Sequence, residues 1–213
     1  MRSIVYNSFM GSKLKMKRST IFSSIITLIS FGYKLVLAIL TASNVLVVAA
    51  TSTFLVFMCK VLFIRNITMS RERKKKAYLF MTILILLFSL IFLLFTVLKA
   101  FGIDASNQKS YEGLVGALLI AFMVVMFILS VINLKGALEK TDIMVIGLKE
   151  MVFVSALADL VIIEEYVYRM FIDKNIEIFQ TITRYFPLAM AGLMLVVTVI
   201  MFIRFARYKV DNK

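Results

Sequence analysis

Residues 21–64 read IFSSIITLISFGYKLVLAILTASNVLVVAATSTFLVFMCKVLFI, two long apolar runs on either side of an uncharged TASN. A helix needs about 20 mostly apolar residues to cross the hydrocarbon core of a bilayer. Each run meets that length, and TASN makes a tight turn. The stretch is therefore a helical hairpin of two spans, at about 20–41 and 44–64.

Four further segments qualify. They are 77–101 (AYLFMTILILLFSLIFLLFTVLKAF), 113–134 (GLVGALLIAFMVVMFILSVINL), 144–168 and 185–204 (YFPLAMAGLMLVVTVIMFIR). Pro187 falls in the first turn of the last of these, where a missing N–H costs little. Composition agrees: 62% of the 213 residues are hydrophobic and the mean hydropathy is +0.96. A soluble domain would hold roughly 45–50% apolar residues. The expected fold is all-α, a polytopic membrane protein of six transmembrane helices.

Lys and Arg gather in short loops on the cytoplasmic side of a membrane. Here Arg2, Lys13, Lys15, Lys17 and Arg18 precede the first span. Arg65, Arg71, Arg73, Lys74, Lys75 and Lys76 follow the second, and Arg204, Arg207, Lys209 and Lys213 close the chain. The alternate side has the uncharged TASN, and loops 102–112 and 169–184 in which acids offset the bases. Both termini are thus expected in the cytoplasm. The parts are a basic cytoplasmic N-terminal segment (1–19), a six-helix transmembrane domain (20–204) and a short basic cytoplasmic tail (205–213). The first apolar run continues into a second with no A-x-A-like site between them, so it reads as a signal anchor and not a cleaved signal peptide.

Composition also narrows the chemistry. There is no His and a single Cys, Cys59, which excludes an internal disulfide framework and any multi-thiolate metal site. Carboxylates, hydroxyls and amides remain, and they suit hard cations or protons. Cys59 itself reads as a small buried hydrophobe. The net charge of +13 sits at span ends and forms no basic face interleaved with aromatics, so nucleic acid is not expected as a partner. The run RERKKK at 71–76 reads as a topology signal in contact with lipid headgroups, with a regulatory basic patch as the alternative. No phosphate loop, nucleophile–base set or paired catalytic carboxylates appear, and the short loops hold no soluble catalytic domain. The chain reads as no enzyme, with no cofactor.

Residues 149–166, KEMVFVSALADLVIIEEY, place Lys149, Glu150, Asp159, Glu164 and Glu165 in or beside the fifth span. A charge at a span centre costs about 2.5–3.5 kcal/mol on insertion scales, so it is expected to face a partner inside the bundle. At 1.5 Å per residue Lys34 lies roughly 21 Å up the first span and Asp159 roughly 22 Å up the fifth. Spans one and five should touch there, with Lys34 paired to Asp159. The same depth reasoning pairs Lys60 with Glu150, and the i, i+4 spacing pairs Glu165 with Arg169 near the outer interface. Ser155, Asp159 and Tyr166 share a face, and the second span adds Thr51, Ser52 and Thr53 at mid-depth. Asp159, Lys34, Ser155, Thr51 and Thr53 are the candidate pathway residues. Gly113 and Gly116 in span four, and Ala189, Ala191 and Gly192 in span six, permit close helix packing.

The hairpin YKLVLAILTASNVLVVAATSTF at 33–54 resembles the opening hairpin of cation diffusion facilitators, with their Lys-Leu start and Thr-x-Ser turn. That family has six spans with both termini cytoplasmic and carries metal ligands in spans two and five. Its acids and imidazoles have no counterpart in VVAATSTFLVF of span two, and its C-terminal domain has none after span six. The whole chain, including SALADLV at 155–161, is similar to a set of uncharacterised bacterial six-span membrane proteins. The resemblance implies a facilitator-like arrangement, in a bacterial cytoplasmic membrane, without the metal site. Two functions fit the residues. One is a small transporter, or transporter relic, moving a cation or proton, with Asp159 titrating or ligating and Lys34 as counter-charge. The other is a non-transporting module that binds a membrane protein partner or a second copy of itself, with the intramembrane charges purely structural.

Overall fold

The computed structural model describes residues 2–41, 44–101, 114–139, 142–171 and 177–208, with side chains described at 16–40, 46–101, 120–121, 123–139, 142–164, 167 and 181–208. They form six helices: α1 (Arg2–Thr41), α2 (Asn44–Asn66), α3 (Arg71–Ala100), α4 (Leu114–Leu138), α5 (Ile143–Phe171) and α6 (Glu177–Arg207). The helix termini carry the expected signals. Ser70 stands at the N-cap position of α3 without a side-chain capping hydrogen bond, Glu72 sits in its first turn, and Lys99 stands in its last turn, where the macrodipole favours a cation.

The helices outrun the sequence-based spans. The basic N-terminal segment is itself helical and continuous with the first span. Because α6 begins at Glu177, Pro187 lies inside the helix and not in its first turn as expected. A proline there leaves the Thr183 carbonyl without its i+4 donor, a fault that tertiary packing must offset.

Four stretches are long and apolar enough to cross a membrane: Met16–Leu40, Leu46–Asn66, Arg71–Ala100 and Thr181–Arg207. The molecule is an α-helical membrane protein. Within α4 the described apolar stretch is Met123–Leu138, and α5 carries Lys149, Glu150, Asp159 and Glu164 along its length. The central helix, α5, packs against α2, α3, α4 and α6, so its charges meet protein and not lipid.

The core lies among α2, α3, α5 and α6, where Cys59, Phe63, Tyr78, Met81, Met151 and Met194 are fully enclosed. The outward rows are apolar as well: Phe22 and Ile29 on α1, Ile91 and Leu94 on α3, Val125 and Ile132 on α4, Val196 and Val199 on α6. Apolar surface both inside and outside is what a bundle solvated by lipid presents. Among the described residues α1 packs on α2 alone and α4 on α5 alone. Lys74 of α3 is salt-bridged to Asp142 just before α5, and Lys75 donates to the Tyr208 carbonyl after α6 at 2.9 Å. These bonds gather the start of α3, the start of α5 and the end of α6 at one end of the bundle.

One glycine is required by close approach. A Cβ on Gly147 would stand 2.7 Å from Cδ2 of the Tyr78 ring, which is itself fully buried. Gly147→Ala is expected to cost about 1–3 kcal/mol by overpacking, read as a lowered unfolding midpoint in detergent. Gly192→Ala, with nothing within 4 Å of the added carbon, is the neutral control.

Candidate functional site

Three helices each turn one polar stripe toward a common space. On α1, Ser23, Thr27, Ser30 and Lys34 recur at spacings of four, three and four, within an arc of about 60°. On α2 the stripe is Thr53, Val56 and Lys60; on α5 it is Val152, Ser155, Ala156 and Asp159. Because α1 does not pack on α5, a cavity of about 100 Å³ remains between them. Ile26 of α1 and Met126 of α4 also line it. The backbones of these two helices do not pack on each other among the described residues, and Ile26 and Met126 are both exposed at the cavity's edge.

At one level Lys34 spans the gap. Its Nζ donates to Asp159 Oδ1 at 2.8 Å and to Thr53 Oγ1 at 3.0 Å. The two helices thus meet through this pair of side chains and not through packed backbones. Thr53 donates in turn to the Ala49 carbonyl at 2.9 Å, and Ser155 donates to Ser52 Oγ at 3.2 Å. Asp159 Oδ2 has no hydrogen-bond partner among the described residues, and neither has the Ser30 hydroxyl. Most other hydroxyls in these helices bond back to a carbonyl one turn earlier, as Ser24 does to Thr20 and Ser89 to Ile85.

The second level differs. Lys60 is buried, and its Nζ donates to the Ser23 carbonyl at 3.0 Å, to Ser23 Oγ at 2.7 Å and to Thr27 Oγ1. All three acceptors are neutral, and among the described residues no carboxylate pairs with it. The expected Lys60–Glu150 pair does not form. Glu150 and Asp159 stand nine residues apart, about half a turn out of phase, so α5 shows them to opposite sides. Glu150 faces α3 and α6, where it pairs with Arg204 and accepts from Tyr78 Oη at 3.0 Å. Depth matched Lys60 and Glu150, but helix rotation separates them.

Thr51 is a second correction. It is exposed and donates to the Val47 carbonyl at 2.9 Å, because Thr51 and Thr53 lie about 200° apart on the wheel and only Thr53 can face the cavity. The side chains of Glu165, Arg169 and Tyr166 lie outside the described residues. Ser23, Thr27, Ser30, Ser52 and Met126 are neighbours that the sequence-based set omits. The α1 stripe was visible as a four–three–four spacing ending on Lys34; Met126 left no such signal.

The cavity presents one carboxylate, Asp159, beside hydroxyl and ammonium donors. Among the described residues no three His, Cys, Asp or Glu side chains come together to hold a metal ion. No protein-family model matches the chain, and no curated protein or solved structure matches it either.

Proposed function

We propose that this membrane protein is a small proton-linked transporter whose working site is the cavity between α1, α2 and α5. All six helices cross a bacterial cytoplasmic membrane in this reading, with both termini cytoplasmic. The gathering of Arg71, Arg73, Lys74, Lys75, Arg204 and Arg207 at one end of the bundle supports that orientation. The observation that carries the function is the Lys34–Asp159 pair beside open space, bridging helices that do not pack. Asp159 takes up and releases the proton, Lys34 is its counter-charge, and Thr53 and Ser155 orient the two. Lys60 is the other charged group facing the cavity.

A cation heavier than a proton fits less well, since two ammonium groups and one carboxylate line the space. A tethering role has one observation in its favour: Lys34–Asp159 is the link between α1 and α5. Proton flux into proteoliposomes separates the two. Wild type is expected to acidify the lumen under an imposed gradient, and Asp159→Asn to fall to the level of protein-free vesicles while keeping its helical circular dichroism. Wild type without flux would sink the transporter and leave the tether.

A further inference from the structure

Lys60 is the anomaly in this bundle. An intramembrane ammonium pairs with a carboxylate or with backbone carbonyls, and an ionisable residue at that depth is a functional-site candidate. The other buried lysines have a carboxylate: Lys34 has Asp159 and Lys74 has Asp142. Lys60 is equally buried, borders the cavity, and bonds three neutral oxygens instead.

The cavity is therefore electrically lopsided. At its Lys34–Asp159 end a carboxylate faces the ammonium, and at its Lys60 end no carboxylate does among the described residues. The space between is small, below the roughly 150 Å³ that takes up benzene, and Val56, Val152 and Ala156 give it apolar walls. Ile26 of α1 and Met126 of α4 border it, and both are exposed apolar side chains.

We infer that the cavity binds a monocarboxylate with a short hydrocarbon tail, its head on Lys60 and its tail directed out between α1 and α4. A carboxylate is a stronger acceptor than a hydroxyl, so it displaces one of the neutral oxygens from the Lys60 ammonium. The hydroxyl so released, Thr27 or Ser23, rotates to donate to the same head, and Ser30 supplies a further donor. The inference deepens the transporter reading and rests on the same cavity being the solute site.

The test is equilibrium binding of isotopically carboxyl-labelled octanoate to the full chain in nanodiscs, followed by magnetic resonance. Empty nanodiscs subtract partition into lipid. Saturable binding is expected in wild type, and Lys60→Gln should weaken it about tenfold or more, the effect of losing one hydrogen bond to a charged group. Ser30→Ala, which removes no packing partner or ion pair, should weaken it severalfold and covers the case in which Lys60→Gln fails to fold. Octylammonium should not compete. Competition by octylammonium, binding indifferent to both substitutions, or acetate binding as tightly as octanoate would each overturn the proposal. Binding is read without flux, so Lys60-dependent binding in a protein that moves no protons sustains this site and sinks only the transporter. Proton flux without octanoate binding does the reverse.

Discussion

Arg204→Met is expected to cost about 3–5 kcal/mol of unfolding free energy, the usual result of removing one member of a buried ion pair. The reason lies in what is left behind. The Glu150 side chain is only 3% exposed, against 26% for Arg204, so the carboxylate has no route to water when the guanidinium goes. Glu150→Gln is expected near the lower end of that range, because the half-buried Arg204 can swing toward the bundle end. Tyr78→Phe removes a hydrogen bond to a charged acceptor and is expected to cost about 1.5–3 kcal/mol while leaving the ion pair in place. The double change Glu150→Leu with Arg204→Leu should be milder than either single change, since no charge is then stranded. Denaturant unfolding in micelles, followed by circular dichroism, measures all four. Single changes that leave the midpoint in place would mean that α3, α5 and α6 are held by their apolar core alone.

The same network shows where sequence reasoning stops. Lys34 and Asp159 could be matched in advance because one coordinate, depth along the span, already singled them out and their signs oppose. Lys60 and Glu150 agree in depth and sign as well, yet they do not meet. What separates them is rotation about α5, and its phase relative to Asp159 was present in the nine-residue spacing. Once Asp159 is assigned to the α1–α2 side, Glu150 must face the other way, and Arg204 at the end of α6 becomes its partner. Thr51 and Thr53 yield to the same test. Other features left no mark in the sequence. That α1 packs on α2 and not on α5, which leaves the cavity, and that Met126 of α4 reaches its rim, are set by tertiary packing. Span counting likewise recovered all six helices but not their ends, since a helix continues beyond the hydrocarbon limit wherever its backbone can satisfy itself.

Exchanging Lys34 and Asp159 asks whether that pair holds the fold or performs the function. Lys34→Asp alone would set two carboxylates against each other across the gap, and Asp159→Lys alone would set two ammonium groups there. Each is expected to cost about 3–5 kcal/mol or more, since the two side chains are only 6% and 13% exposed. The double exchange restores opposite signs between α1 and α5, and the long side chain can reach from either helix, so most of the lost stability should return. Proton flux should not return. In the exchanged protein the carboxylate hangs from α1, away from the Ser155–Ser52 hydroxyls beside which Asp159 stands on the central helix. A stable double variant without flux therefore assigns the titrating role to Asp159 at its own position. If the exchange restores stability and flux together, charge pairing alone is what the protein requires at this level. Asp159 then ties α1 to the bundle and carries no proton of its own.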